Sequence, residues 1–186
     1  MSLPLRFSLL LLATLASCAS GLPRPDGVPK SYDTVEVPGA IDAARDALLH
    51  TDGASAAVAY LAAAQAAPQL TTEQSATIQT LLVDAVSKRL DELRGGGDPE
   101  ELEAIGELEL PRDLAVRASM AAARALLDQG ERVACHEYLV KVDQSYPLHA
   151  RRAESGRLLF EAGHSLAIDE GTYFGFLSYR PLATPV

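Results

Sequence analysis

Two amphipathic helical patterns meet at Gly130, and together they leave few folds open to the chain. Between Arg112 and Gln129, the residues Asp113, Arg117, Arg124 and Asp128 fall on one polar stripe, with Leu114, Ala118, Ala121, Ala122, Ala125 and Leu126 on the other side. From about Glu131 to Tyr146, Cys135, Leu139, Val142 and Tyr146 recur at helical spacing. Two such helices joined by one tight turn make an antiparallel hairpin. A composition heavy in Ala and Leu, with no Trp, favours helix in the remainder as well.

Upstream, punctuation is equally plain. Helical pattern begins at about Ala40, with Ile41, Ala44 and Leu48 on one side and Asp42, Arg45 and Asp46 between them, and Asp52-Gly53 ends it. Ala54 to Ala67 contains no charged residue, which predicts a helix buried between neighbours; it is too short to span a membrane, and Pro68 closes it. Thr71 and Gln74 offer a capping box. Leu82, Val86, Leu90 and Leu93 then form one stripe, while Asp84 and Lys88 make an i,i+4 pair on another face.

Gly95-Gly96-Gly97 breaks that helix and is not a phosphate loop, because Asp98-Pro99-Glu100-Glu101 follows where Gly-Lys-Ser/Thr is required. This is a helix start instead, with Asp98 as N-cap and the helix reaching about Leu108. The acids Glu100, Glu101, Glu103, Glu107 and Glu109 lack the order of a calcium loop and have no accompanying base or nucleophile, so they read as a solvated helix face.

At the other end of the chain, Met1 to Ala16 carries Arg6 ahead of the apolar run Phe7 to Ala16, which has the length of a signal-peptide core. Leu15-Ala16-Ser17-Cys18 at its end resembles the lipobox of bacterial lipoproteins. The resemblance implies that residues 1–17 form a cleaved signal peptide and that Cys18 is the lipidation site, diacylated and anchored in the membrane. Ala19 and Ser20, with no Asp after the cysteine, resemble the outer-membrane-sorted members. Residues 18–38 are rich in proline and glycine, the composition of a flexible tether.

The hairpin carries a second resemblance. Ala123, Leu126, Gly130, Cys135, Leu139, Val142 and Pro147 are similar to the tetratricopeptide repeat: small and large residues in the first helix, a turn glycine, small then large residues in the second, and a closing proline. The turn glycine recurs at Gly163, 33 residues on, preceded by Gly156, Leu159 and Phe160. The second unit lacks its closing proline, has Ile168 where a small residue is usual, and the Gly53 hairpin stands out of period. The expected fold is therefore all-α. Residues 39–110 make an irregular helical array and 111–180 make antiparallel hairpins stacked as a tetratricopeptide-like α-solenoid, which exposes a groove; residues 181–186 form a tail. In the stretch Gly171 to Arg180, Phe174, Phe176 and Leu177 are expected to pack on the Gly163 hairpin.

Lipobox, tether and hairpins together resemble the lipoprotein subunits of the outer-membrane β-barrel assembly machine, which scaffold their partners. That resemblance implies a non-enzymatic scaffold on the periplasmic face of the outer membrane. Its partners would be other envelope proteins, bound through the helical groove, and the membrane, through lipid on Cys18. The alternatives are an accessory lipoprotein of another envelope complex, in cell-wall or transport machinery, and a ligand-binding or enzymatic lipoprotein.

No catalytic, cofactor-binding or metal-binding residue is expected, and no small-molecule substrate. His50, His136, His149 and His164 are far apart, and the position that would complete a zinc pair with His136 is Val140. Cys135, on the Leu139/Val142 stripe, reads as a buried small hydrophobe. With Cys18 assigned to lipid, no disulfide is expected. Lys and Arg number 16 against 25 Asp and Glu, a net charge of -9, with no basic cluster along the chain, which argues against nucleic acid.

Overall fold

Glycine and proline divide the chain much as they do in the sequence. The computed structural model describes residues 21–94, 96–168, 172–173 and 177–178, and over these the protein is all-helical apart from one short ladder. The helices are α1 (Val37–Leu49), α2 (Ala54–Gln65), α3 (Thr72–Glu92), α4 (Pro99–Gly106), α5 (Arg112–Asp128), α6 (Arg132–Ser145) and α7 (Arg152–Ile168). Cys18 and the lipobox lie outside the described residues.

Local signals act as the residue types require. Thr71 Oγ1 accepts from the Gln74 amide at 3.1 Å, and the Gln74 side chain accepts from the Thr71 amide at 2.9 Å, closing the capping box on α3. Asp98 caps α4 by accepting from the Glu100 amide at 3.2 Å, and Pro99 opens the helix. At the end of α5, Gly130 takes φ +82°, the Gly130 amide donates to Leu127 O at 3.0 Å and the Glu131 amide to Leu126 O at 2.9 Å. That is a Schellman close, which returns the chain directly into α6.

Packing follows chain order: α1 with α2, α2 with α3, α4 with α5, α5 with α6, and α6 with α7. α2 is buried along most of its length, and its alanines bring α1 and α3 close. α5 separates two apolar clusters. Its Leu114, Ala118, Ala122 and Ala125 join Leu61, Ile78, Leu82, Val86 and Ile105, while its Val116, Met120, Ala123 and Leu126 meet Cys135, Leu139, Leu158 and Ala162. A helix that serves two cores needs apolar residues on both sides, and this narrows its polar face to a strip at Asp113, Arg117, Arg124 and Asp128.

Several expectations give way. α1 starts at Val37, three residues earlier than its periodicity indicates, because Pro38 sits comfortably in a first turn. Lys88 does not pair with Asp84; its Nζ donates to Leu48 O at 3.1 Å and His50 O at 2.9 Å, satisfying carbonyls at the open end of α1. Gly163 makes no turn and lies inside α7. The buried side of α7 is Ser155, Leu158 and Ala162, and Phe160, counted on the packed stripe by the repeat spacing, is exposed. The stretch read as helical near the C-terminus holds a two-residue antiparallel ladder, Thr172–Tyr173 with Leu177–Ser178; Phe174 and Phe176 lie outside the described residues.

The tether region differs most. Leu22 is buried in the first core, and Gly21 stands so near α4 that a Cβ there would be 2.6 Å from Glu100 O. Ser31 Oγ donates to Ala66 O at 2.9 Å and the Tyr32 amide to Ala63 O at 3.3 Å, occupying carbonyls where α2 ends. Residues 21–36 are irregular, as their prolines require, but they strap the helices together.

Candidate functional site

Basic residues are few and scattered in the sequence, yet the packing of α3, α5 and α7 gathers four of them. Arg94 follows α3, Arg117 and Arg124 project from the polar strip of α5, and Arg151 precedes α7. All four line an open cleft of about 720 Å³ whose apolar wall includes Leu90, Leu93, Leu102 and Met120. The expectation of no basic cluster holds along the chain and fails in space, because residues about thirty positions apart converge only when α5 packs across α3 and α7.

Asp91 accepts from Arg117 and lies 3.0 Å from Arg94, and Arg151 lies 2.9 Å from Glu154. The Arg117 guanidinium holds the Asp91 carboxyl below the usual carboxylate range. Arg124 is exposed and has no acidic partner within ion-pair distance among the described residues. A second cleft, of about 560 Å³, shares Leu93, Gly96, Gly97, Ala125 and Asp128 with the first and leads on to Arg89 and Glu101. The opening therefore extends past the glycine pair as a groove. Gly97 is confined there: a Cβ would stand 3.1 Å from Leu102 Cδ1 and 3.3 Å from Leu93 Cδ2.

At the far end of the groove the acidic stretch departs from a uniformly solvated face. Glu101 is buried, and its two oxygens accept from Arg89 Nε at 2.7 Å and Nη2 at 2.8 Å. This bidentate pair joins α3 to α4, and the hydrogen bonds to Glu101 raise the Arg89 pKa further. Glu100, Glu107 and Glu109 remain exposed. Burial, and the neighbouring Glu107, push the Glu103 carboxyl up.

A buried His–Asp–Ser set joins α6 to α7 and could be mistaken for catalytic machinery. His149 Nε2 is 2.8 Å from Asp143 Oδ1, and Ser155 Oγ donates to the same oxygen at 3.0 Å. The carboxylate sits between the other two, so the serine has no base, whereas a nucleophile must touch the imidazole. His149 Nδ1 is buried without a partner, beneath a loop in which Leu148 takes φ 62°. The set works as a structural staple.

Cys135 is fully buried, and burial pushes its thiol up to about 11, so it stays protonated and inert at neutral pH. His136 is half-buried beside it on α6, His50 is exposed, and His164 stacks on Phe160 with ring centroids 5.5 Å apart. None of these side chains converges on the arginine cleft. No group of three or more metal-ligating side chains occurs among the described residues, and none of the described helices is long and apolar enough to cross a membrane.

The polar strip of α5, which supplies Arg117, Arg124 and Asp128, is legible in the sequence as a polar stripe but not as part of a site. Arg94 and Arg151 carry no local signal that assigns them to it. Comparison with protein-family models, with curated proteins and with solved structures finds no match to this chain.

Proposed function

We propose that the protein is a non-enzymatic scaffold, anchored to the outer membrane through lipid on Cys18, that binds other envelope proteins through its helical groove. Its helices would act as a short tetratricopeptide-like α-solenoid, with α5 and α6 as the one regular hairpin. The observation that carries this reading is the open cleft across α3, α5 and α7, where four arginines edge an apolar wall on a chain of net charge -9. A surface of that composition suits a macromolecular partner, since arginine beside apolar side chains is the usual make-up of interaction anchors. The lipobox resemblance supports the address, and assembly of outer-membrane proteins is the setting that the combined resemblance favours.

The test is isolation of the tagged protein from cross-linked membranes, with wild type and Cys18→Ala in parallel. An envelope protein should co-purify with wild type, and Cys18→Ala should leave the membrane fraction and lose most of that partner. A wild-type protein that captures no envelope partner, yet retains or turns over a small molecule, would overturn the scaffold reading.

A further inference from the structure

We infer that the arginine cleft receives an extended, acidic peptide segment of the partner, one that sets a carboxylate against Arg124 and an apolar side chain against Leu93. The inference rests on the scaffold reading and adds the chemistry of what is bound.

Charge leads the argument. Three carboxylates, Asp91, Asp128 and Glu154, line or flank four guanidinium groups, and the ion pairs occupy Arg94, Arg117 and Arg151. Arg124 is left over, exposed on the strip of α5 that faces the cleft, with Asp128 one helical turn beyond it and outside ion-pair distance. A carboxylate placed there completes the set by a forked, charge-assisted hydrogen bond, geometry that a guanidinium favours. The wall beside it is apolar: Leu93 is part-exposed and backed by the buried Leu90, Leu102 and Met120.

Shape selects a peptide over a compact metabolite. The cleft runs on past Gly96 and Gly97 into the second opening, so a bound chain can pass over backbone that carries no side chains. Nucleic acid fits poorly, because successive phosphates along the groove would meet Asp91, Asp128 and Glu154 on a molecule already at -9. A segment with one carboxylate matches the surplus of one guanidinium in the first opening, and the part that passes Gly96 and Gly97 must be free of acids, because Asp98, Glu101 and Asp128 line that end beside Arg89.

The test uses the full lipidated chain in detergent and an unbiased display library of peptides about a dozen residues long, since Arg contacts and apolar anchors both fit within that span. Enriched peptides should pair Asp or Glu with a neighbouring Leu, Ile, Phe or Met. A fluorescent copy of the best one should bind about tenfold more weakly to Arg124→Glu and within about twofold of wild type to Arg157→Glu, an exposed arginine outside the cleft. Raising salt from about 50 to about 300 mM should weaken binding severalfold. Both variants change exposed residues, and circular dichroism checks that each keeps its helices and melting temperature.

Enriched peptides without acids, affinity indifferent to Arg124→Glu, or no enrichment at all would each overturn the inference. The membrane isolation repeated with Arg124→Glu separates the two readings. A partner retained in full by this variant leaves the scaffold standing and removes the acidic-segment docking. Absence of any partner with wild type removes the scaffold, while the peptide selection still reports on the cleft.

Discussion

Arg89 and Glu101 show how much one buried pair can govern. Glu101 is 3% exposed, and its carboxylate is tolerable there only because the guanidinium matches both oxygens. Removing the acid strands a mostly buried cation at the junction of α3 and α4. Glu101→Ala should therefore cost about 2–3 kcal/mol in urea unfolding, near the lower end for a broken buried pair because Arg89 keeps some contact with water and with Glu92. Replacing both partners together, Arg89→Met with Glu101→Leu, should recover most of that loss. In sequence Glu101 is one acid among five, and only the approach of Arg89 singles it out, so its burial was not legible beforehand.

At the level of elements, two glycines that look equivalent in sequence have opposite roles. Gly130 holds φ +82° in the Schellman close between α5 and α6, a region that disfavours any Cβ. Gly163 sits within α7, and a Cβ there would meet nothing within 4 Å. Gly130→Ala should destabilise by about 1 kcal/mol. Gly163→Ala should stabilise by about 0.5–1 kcal/mol, because alanine loses less backbone freedom in a helix. Thermal or urea unfolding of the two variants reads both signs; a loss at Gly163 equal to that at Gly130 would restore a turn there. The interval between the glycines matched a repeat, but interval alone cannot distinguish a residue that ends a helix from one that a helix passes through.

For the whole molecule, the N-terminal strap changes how the domain would sit on a membrane. Gly21 rests on α4, and only Ala19 and Ser20 lie between it and Cys18 in the sequence, so a lipid on that cysteine would be attached within about 10 Å of chain from the α4 edge. If Cys18 carries the lipid, a domain held that closely would be oriented by its anchor, where a free tether would let it tumble. The strap should also contribute to stability: Leu22→Ala should cost about 2–3 kcal/mol in chemical unfolding, as expected for a buried leucine truncated in a packed core. An unchanged midpoint would return residues 21–36 to the status of a spacer. Proline and glycine content showed correctly that this segment is not helical, but it carries no information on whether an irregular chain leaves the surface or lies along it.

The sequence by itself determined the all-α class, the glycine and proline breaks between helices, the capping box at Thr71, the Asp98 cap and the Gly130 hairpin. These depend on interactions within a few residues, which side-chain type and spacing specify directly. Only the tertiary structure decided that Leu22 is core, that Glu101 is buried, that Lys88 turns to the end of α1, and that Arg94, Arg117, Arg124 and Arg151 share one cleft. Each depends on which helix faces meet across long stretches of chain, and that is set by collective burial of apolar surface, which fixes distances between residues that no local pattern relates.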